Sequence, residues 1–341
     1  MKACILGTGS WGTAFGRHVA HKWDEVALWG VDENQVAMIN QTATNPDYLG
    51  DVLLPPNLGA TLDMSVAAAG ADAVFVVVPS QAVREVTRKL AGVCDVLPPS
   101  SPVINLAKGF EVATLTRLSE VIREELQGCG HRHPIGVLLG PSHAEEVAAE
   151  MPTAVVLSGD DGFDWESWQR LITGPFFRVY TNPDTLGVEV SSGFKNVIAV
   201  AVGLCDGLGM GDNTRGTLMT RGMAELARIA TAMGGQRETC FGLAGIGDMI
   251  TTCISRHSRN RNFGEAVARA RRDPQEVLAG SLQVVEGVAM TKAALKLGEK
   301  FGIQLPISKS VHEVLFEGKA PLRAIRELMA REPREEGARS R

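Results

Sequence analysis

The sequence lacks the cysteine patterns, long apolar runs and leader segment that mark several other classes of protein. Its six cysteines include no C-x-x-C pair, which excludes the common zinc motifs and a disulfide framework, and several lie in apolar runs typical of reduced core residues. No stretch reaches the roughly 18 uninterrupted apolar residues of a membrane span. No basic segment followed by a longer hydrophobic stretch opens the chain, so no secretory signal is predicted. We therefore expect a cytoplasmic protein with no stable membrane insertion.

An excess of basic residues is also absent, since the net charge is -5. One dense basic cluster covers Arg256–Arg261, and Arg269, Arg271 and Arg272 follow it. Aromatic residues do not interleave with these arginines, so nucleic acid is not the predicted partner. A guanidinium beside Ser and Asn side chains fits a small phosphate instead. The later arginines are typical of a solvated helix face.

Metal-binding and hydrolytic motifs are missing as well. Cys129, His131 and His133 alternate in a polar loop, but no fourth ligand follows at a recognisable spacing, and His143 stands apart. The pattern predicts a solvated loop and no metal site. The sequence contains no H-E-x-x-H, G-x-S-x-G or P-loop pattern.

The first half of the chain alternates short apolar runs with amphipathic segments. Short apolar runs between helical patterns are typical of buried parallel strands. The predicted strands are Ala3–Leu6, Val26–Trp29, Ala73–Val78, Val103–Leu106, Ile135–Leu139, Ala154–Leu157 and Phe177–Tyr180. The predicted helices include Gly12–Lys22, Glu33–Asn40, Gln81–Ala91 and Leu115–Gln127. This order predicts a doubly wound, Rossmann-like α/β sheet.

The second half of the chain has a different residue composition and pattern. From about residue 186, long stretches rich in Ala, Leu, Met and Arg replace the strand-like runs, as in Val188–Leu204, Gly216–Met233 and Val288–Phe301. We therefore predict a dinucleotide-binding domain at residues 1–186 and an all-α, substrate-binding domain at 187–330. Residues 331–341 are charged and predict a disordered tail.

A glycine-rich turn, Gly7-Thr8-Gly9-Ser10-Trp11-Gly12, follows the first strand and opens a helix. Gly7 can make the tight turn, Gly9 lets a pyrophosphate approach the backbone, and Gly12 packs helix on sheet. The anion would lie on free N–H groups at the positive end of the helix dipole. The alternative is a turn that binds nothing. Because the strand, the helix and the N-terminal position coincide, the pattern favours a nicotinamide dinucleotide site.

Asp32 follows the second strand, where such folds meet the adenosine ribose. Its carboxylate could accept hydrogen bonds from ribose hydroxyls, as in NAD sites, or could cap the helix Glu33–Asn40, and the two interpretations are equally good. Arg17 or Lys22 could still serve a 2′-phosphate. The residues therefore leave NAD and NADP both open.

A lysine in an apolar segment is the main candidate for catalysis. Lys195, in Gly193-Phe194-Lys195-Asn196, precedes a long apolar run. Burial lowers the pKa of a lysine, and such a group could donate a proton to a developing alkoxide. Alternatively, Lys195 extends its amine to solvent while its stem packs. Asp248, after the glycine-rich stretch Gly242–Gly247, either caps a helix or holds Lys195.

Together these segments closely resemble the bacterial NAD(P)-dependent glycerol-3-phosphate dehydrogenases, in order along nearly the whole chain. The segments that carry the resemblance are Gly7–Ala14, Val77–Ser80, Ala107–Gly109, Gly140–Ser142, Val179–Asp184, Gly193–Asn196, Gly245–Asp248, Ser258–Arg261 and Val284–Gly287. This set is far more specific than the glycine turn alone.

The resemblance implies reversible hydride transfer between NAD(P)H and dihydroxyacetone phosphate, giving sn-glycerol 3-phosphate for glycerophospholipid synthesis. It implies that Lys195 is the general acid/base, that Asp248 orients it, and that Lys108 and Asn196 polarise the C2 oxygen. The implied substrate-binding residues are Lys108, Gly140, Ser142, Lys195, Asp248, Thr252, Ser258, Arg259 and Asn260, with Arg259 on the phosphate. The implied cofactor-binding residues are Gly7, Gly9, Ser10, Trp11, Gly12, Val31, Lys108, Ala144, Arg259, Val284 and Glu286.

One position departs from that family. Val31 stands where many relatives carry Arg or His, which removes a contact to the 2′-phosphate or adenine. Since the family commonly dimerises, the resemblance also implies a homodimer. The rival predictions are a related two-domain hydroxyacid or ketopantoate reductase and a non-catalytic dinucleotide sensor. Ser258–Arg261 and Val284–Gly287 argue against the first, and Lys108, Lys195 and Asp248 argue against the second.

Overall fold

The computed structural model describes residues 1–270, 273–280, 284–333 and 335. The chain divides into two compact units. The first contains Met1–Lys108 and Thr116–Val188, and the second contains Gly109–Leu115 and the described residues from Glu189 onward. The solvated face predicted at Arg271 and Arg272 lies outside the described residues, as do residues 334 and 336–341 of the predicted tail.

Strands and helices alternate along the first unit. The short strand β6, which lies between β5 and β7 in sequence, belongs to the second unit. The strands are β1 (Lys2–Leu6), β2 (Glu25–Trp29), β3 (Leu58–Thr61), β4 (Ala73–Val76), β5 (Val103–Asn105), β6 (Phe110–Glu111), β7 (Thr116–Arg117), β8 (Ile135–Leu139), β9 (Thr153–Gly159) and β10 (Phe177–Thr181). The helices of the first unit are α1 (Ser10–Ala20), α2 (Glu33–Thr42), α3 (Pro46–Leu49), α4 (Met64–Ala68), α5 (Val83–Ala91), α6 (Leu118–Leu126), α7 (Ala144–Ala148) and α8 (Trp165–Ile172).

Eight strands form one sheet in the order β10-β9-β8-β5-β4-β1-β2-β3. The paired strands run parallel except β8 and β9, which are antiparallel. Strands β9 and β10 run parallel to each other and opposite to the other six strands. The parallel direction predicted for Ala154–Leu157 and Phe177–Tyr180, which lie in these two strands, is therefore wrong, because an apolar run is the same in either direction. Strand β3 was not predicted, since its sequence Leu58–Thr61 contains no apolar run.

The two faces of the sheet pack against different helices. On β1, Ala3 and Ile5 belong to a buried cluster with residues of α1, α7 and α8, whereas Cys4 and Leu6 belong to a second cluster with residues of α4, α5 and α6. Successive side chains of a strand point to opposite faces, so apolar residues at every position require a helix layer on each side. The predicted doubly wound α/β fold is confirmed.

Apart from the short strand β6, the second unit is helical. Its helices are α9 (Thr185–Gly207, in this unit from Glu189), α10 (Asp212–Ala232), α11 (Arg237–Cys240), α12 (Asp248–Ile254), α13 (Arg259–Ala270), α14 (Pro274–Ala279), α15 (Glu286–Phe301), α16 (Pro306–Phe316) and α17 (Pro321–Met329). Among the described residues after Thr181, every regular element is a helix, which confirms the all-α prediction. Helix α9 is long and apolar enough to cross a membrane, but its apolar window is buried inside the protein.

The cysteine prediction needs one correction. Cys94 and Cys129 form a disulfide, with their Cα atoms 6.0 Å apart. Helices α5 and α6 pack side by side, so the segments that follow them meet, although the cysteines are 35 residues apart in sequence. The other four cysteines are free and buried, as predicted. His133 is buried rather than solvated, and its Nδ1 donates to the Ser101 carbonyl at 3.0 Å.

Candidate active site

The glycine turn takes the shape that its sequence predicts. Gly7 has φ +130°, a conformation that side chains other than glycine rarely adopt, and a Cβ there would lie 2.4 Å from the Val77 carbonyl oxygen. A Cβ on Gly12 would lie 2.0 Å from the Gly7 carbonyl oxygen. Both glycines are therefore required for the first turn of α1 to pack against the end of β1.

The same turn fits a dinucleotide pyrophosphate. The space where Gly9 would carry a Cβ is open, with Tyr48 Cε1 the nearest heavy atom at 4.0 Å. Gly9 is the N-cap of α1 and supplies no side-chain bond, so N–H groups of the first helical turn keep their capacity to bind an anion. Trp11 Nε1, on that turn, is buried and has no hydrogen-bond partner among the described residues. Ser10 begins the helix beside it.

A group of polar side chains that the sequence did not reveal holds this turn. Thr8 Oγ1 donates to Gln35 Oε1 at 2.6 Å, and Gln35 Nε2 donates to the Thr8 carbonyl at 2.7 Å. Asn45 Nδ2 donates to the same carbonyl at 2.8 Å and to Thr13 Oγ1 at 2.7 Å. We call Thr8, Thr13, Gln35 and Asn45 the Thr8 clamp. Its bonds span up to 37 residues of sequence, so no local pattern could have predicted them.

At the end of β2, Asp32 makes the helix cap that its sequence position predicts. Its carboxylate accepts a hydrogen bond from the Gln35 N–H at 2.9 Å and caps α2. A carboxylate has about four lone-pair sites, so the cap leaves it able to accept from a ribose hydroxyl as well. Val31 beside it is 77% exposed.

Arg17 and Lys22, the candidate partners of a 2′-phosphate, make other contacts near the far end of α1. Arg17 pairs with Glu150 at 2.9 Å and donates to the Leu53 carbonyl. Lys22 Nζ donates to the carbonyls of Arg170 and Thr173, each at 2.7 Å.

A second group in the first unit collects at the ends of β5 and β8, which are neighbouring parallel strands. Lys108 Nζ donates to the Gly140 carbonyl at 2.7 Å and contacts Ser142 Oγ at 3.4 Å, and Ser142 Oγ donates to the same carbonyl at 2.9 Å. The structure therefore brings together three of the predicted site residues. Ala144, another predicted residue, begins α7 and is buried.

In the second unit Lys195 is buried with a carboxylate and a hydroxyl. Its side chain lies on α9, is only 4% exposed, and donates from Nζ to Asp248 Oδ1 at 2.6 Å and to Thr252 Oγ1 at 2.5 Å. Asp248 and Thr252 are four residues apart on α12, so they share a helix face. Lys195 therefore does not extend to solvent, and Asp248 holds it instead of capping a helix. The N-cap of α12 is Gly247.

This arrangement presents an ammonium as the proton-bearing group. The Asp248 carboxylate neutralises the buried charge and fixes its position. Burial raises the pKa of the neighbouring Cys253 thiol to about 12, so that thiol does not compete as an acid or base. A charged donor excluded from bulk water is suited to protonate an oxygen that becomes negative during a reaction.

Asn196 and Asn260 form a second polar contact in this unit. Asn260 Nδ2 donates to Asn196 Oδ1 at 2.9 Å, and Asn260 Oδ1 accepts from the Gly287 N–H at 2.8 Å. These bonds tie the first turn of α13 to α9 and α15. The bond to Asn260 uses the oxygen of the Asn196 amide and leaves its Nδ2 group as a donor.

The predicted phosphate-binding residues lie at the start of α13. Ser258 caps this helix, since its Oγ accepts from the Arg261 N–H at 3.3 Å, and Arg259 is the exposed first residue. Arg261 points elsewhere and pairs with the buried Asp206 at 2.7 Å, and Arg269 pairs with Glu265. The basic cluster therefore separates into Arg256 and Arg259, which are exposed on either side of the Ser258 cap, and Arg261 and Arg269, which form ion pairs.

Two predicted cofactor residues lie at the start of α15. Glu286 is its first residue, and Val284 precedes it with 47% of its surface exposed. Residues 281–283 before them lie outside the described residues.

Comparison with known proteins gives consistent matches over both units. The family model for the N-terminus of NAD-dependent glycerol-3-phosphate dehydrogenase matches residues 2–162, and the model for the C-terminus of the same family matches residues 184–326. A glycerol-3-phosphate dehydrogenase [NAD(P)+] of Pelotomaculum thermopropionicum is 44% identical over 330 residues, covering 97% of this chain and 93% of that protein.

A second relative and a solved structure carry the same description. The protein of the same description from Bacillus licheniformis is 44% identical over 331 residues, with 97% of this chain and 94% of the relative covered. The crystal structure of a glycerol-3-phosphate dehydrogenase from Coxiella burnetii is 36% identical, covers 97% of this chain and 99% of its own, and superposes with a TM-score of 0.90. This chain therefore belongs to the NAD-dependent glycerol-3-phosphate dehydrogenase family.

Proposed function

We propose that this chain interconverts dihydroxyacetone phosphate and sn-glycerol 3-phosphate, with Lys195 as the group that gives and takes the proton. The observation that carries the proposal is the buried contact of Lys195 with Asp248 and Thr252. The chain is an oxidoreductase of its family, and ketone reduction needs a proton donor beside the oxygen that becomes negative.

The first unit supplies the dinucleotide site. Gly7, Gly9 and Gly12 shape the turn, and the N–H groups at the start of α1 bind the pyrophosphate. When bound, NAD(P)H supplies the hydride for C2 of the substrate. The further residues that we assign to the cofactor, as the family resemblance implies, are Ser10, Trp11, Val31, Lys108, Ala144, Arg259, Val284 and Glu286.

Lys195 donates its proton to the C2 oxygen as that oxygen gains negative charge, and takes it back in the reverse direction. Asp248 keeps the ammonium charged and pointed at one place, and Thr252 fixes the same nitrogen from a second side. We assign Lys108 and the Nδ2 group of Asn196 to the C2 oxygen as hydrogen-bond donors. Gly140 and Ser142, which hold Lys108, would contribute to the substrate site.

The phosphate of the substrate would bind where α13 begins. Ser258 and the first N–H groups of α13 offer neutral donors, and Arg259 offers an exposed guanidinium that can bind phosphate with two parallel hydrogen bonds. Asn260 orders this turn through its two bonds to protein groups.

The Arg259→Ala variant should raise the KM for dihydroxyacetone phosphate at least about tenfold, because a charge-assisted pair to phosphate is lost, with a smaller change in kcat. Arg256→Ala is the matched control, since Arg256 is also exposed but lies before the cap of α13. An Arg259 variant with the KM of the unsubstituted protein would remove this residue from the phosphate site.

The assay for the proposed function is reduction of dihydroxyacetone phosphate by the full chain, followed through the loss of NADH or NADPH absorbance. Ketopantoate and a simple 2-keto acid are tested beside it as substrates of the rival dehydrogenase classes. We expect turnover with dihydroxyacetone phosphate alone. No turnover with any ketone would leave a non-catalytic sensor, and preference for a keto acid would replace the proposed substrate.

We further propose a cytoplasmic homodimer that serves glycerophospholipid synthesis, as the family resemblance implies. Light scattering of the purified chain tests the dimer. A mass equal to one chain at micromolar concentration would contradict it.

A further inference from the structure

The ends of β2 and β3 expose carboxylates and apolar side chains. Val31 and Leu62 are 77% and 46% exposed, and Asp32, Glu33 and Asp63 are exposed as well. Strands β2 and β3 are parallel neighbours, so their carboxyl ends meet at one edge of the sheet. We call these five residues the β2–β3 edge.

Three carboxylates lie at this edge, those of Asp32, Glu33 and Asp63. Asp63 Oδ1 accepts from the Ser65 hydroxyl at 2.7 Å and from the Ser65 N–H at 2.8 Å, and these bonds hold the pKa of Asp63 below its usual range. Asp32 accepts from the Gln35 N–H, as described above, and Glu33 is the first residue of α2.

Three cationic side chains come into question as partners of this edge, and each contacts another group. Lys89 approaches it, since its Nζ lies 5.9 Å from the ring of Trp29 at the end of β2, but the same ammonium pairs with Glu85 at 2.9 Å. Arg17 and Lys22 are held near the other end of α1 by the contacts given above. The β2–β3 edge itself contributes no basic side chain.

We propose that the β2–β3 edge makes this protein select NAD(H) over NADP(H), with Val31, Asp32 and Asp63 as the specificity-determining residues. The inference rests on the proposed dinucleotide site at the glycine turn. In folds of this type an acidic residue about 20 positions after the glycine motif accepts from the ribose hydroxyls of NAD, and Asp32 has that place. NADP(H) carries a 2′-phosphate there, which requires an arginine or a similar cation. Here it would instead approach carboxylates and an apolar Val31.

Binding without substrate tests this inference separately from turnover. The dissociation constants of NADH and NADPH are measured by titration calorimetry on the full chain at low ionic strength. We expect NADPH to bind at least about tenfold more weakly, because like charges a few ångströms apart repel. The ratio of the two constants should fall as salt is added, since exposed charges are screened.

Substitution at Val31 tests the residue assignment. Val31→Arg should lower the NADPH-to-NADH ratio of dissociation constants at least about tenfold, because it supplies the missing cation. Val31→Gln adds length without charge, and Met329→Arg adds the same charge to an exposed residue of α17. Both controls should leave the ratio within about twofold of the original.

The possible results distinguish a failure of the selectivity from a failure of the dinucleotide site. NADPH binding as tight as NADH, or a ratio that Val31→Arg does not move, would overturn the selectivity while the proposed function stood. Failure of both dinucleotides to bind would overturn the dinucleotide site and this inference with it. Tighter NADH binding and a ratio shifted by Val31→Arg alone would support it.

Discussion

Buried polar residues fix the positions of the chemical groups in each unit. Lys195 is held by one carboxylate and one hydroxyl, and the Thr8 clamp holds the glycine turn with four side chains. A buried polar group without a partner costs free energy, so each of these side chains has few alternative positions. The positions of these side chains are therefore fixed before any ligand binds.

His18 on α1 is a half-buried group that titrates. Its ring packs 4.4 Å from that of Phe177, its Nε2 donates to the Ile172 carbonyl at 2.7 Å, and burial lowers its pKa to about 4. The folded protein therefore prefers neutral His18. That preference contributes stability above pH 6.5, the ordinary pKa, and the contribution is lost as pH falls toward about 4.

We predict that His18→Gln removes this part of the pH dependence. The free energy of unfolding of the unsubstituted protein should fall by up to about 3 kcal/mol more than that of the variant over this range, because one pKa unit corresponds to about 1.4 kcal/mol. Urea unfolding at several pH values measures both curves. Parallel curves would show that His18 does not titrate with a lowered pKa.

At the scale of helices, close backbone packing places the phosphate-binding end of α13 against α9. A Cβ on Gly203 would lie 2.0 Å from the Arg261 carbonyl oxygen, and the next nearest atoms also belong to the Arg261 backbone. No side-chain rotation could relieve that contact. The position of Arg259 in the second unit therefore depends on a glycine in α9.

Gly203→Ala should destabilise the protein by about 1–3 kcal/mol and, in the folded fraction, raise the KM for dihydroxyacetone phosphate. Gly216→Ala in α10 is the matched control, because a Cβ there meets no atom within 4 Å. That control should raise the unfolding free energy by up to about 1 kcal/mol. Thermal melts and steady-state kinetics on both variants measure the effects, and equal behaviour of the two would refute the packing argument.

The Cys94–Cys129 disulfide joins the segments after α5 and α6 and closes a loop of 35 residues. Cross-linking such a loop stabilises a fold by about 3–4 kcal/mol in the chain-entropy account. We expect reductant to lower the melting temperature of the unsubstituted protein but not that of the Cys94→Ser, Cys129→Ser double variant.

Thiol titration gives an independent count for the same prediction. Denatured, unreduced protein should react at four thiols, because two of the six cysteines are bonded. Six reactive thiols in that sample would show that the pair is reduced.

The sequence predicted the strands and helices better than it predicted how they pair. Amphipathic periodicity and apolar runs located most strands and helices, since burial on one or two faces leaves a local pattern. Strand β3 was not predicted because Leu58–Thr61 is only partly buried, and the directions of β9 and β10 were mispredicted because periodicity carries no direction. The glycine turn was predictable because its conformational requirement is local.

The side-chain contacts of the site were harder to predict from the sequence. Lys195 and Asp248 are 53 residues apart, and nothing in their local patterns distinguishes a buried pair from a snorkelling lysine and a helix cap. Family resemblance supplied the pairing, and the structure supplies its geometry. The Thr8 clamp had neither a local pattern nor a motif to indicate it.

At the scale of the whole molecule, the chain divides its chemistry between two units. The first contains the glycine turn, the β2–β3 edge and the Lys108 group, and the second contains Lys195, Asp248 and the start of α13. Each unit matches its own family model. We therefore expect cofactor binding and proton transfer to be separable by substitution.

Turnover and NADH binding of Lys195→Ala test that claim most directly, with Lys309→Ala as control because Lys309 is an exposed lysine of α16. Since Lys195→Ala leaves the Asp248 carboxylate buried without its cation, Lys195→Met combined with Asp248→Asn is measured beside it. Both Lys195 variants should lose at least about 100-fold in kcat while the dissociation constant of NADH stays within about twofold. Near-normal turnover in a folded Lys195 variant would contradict it.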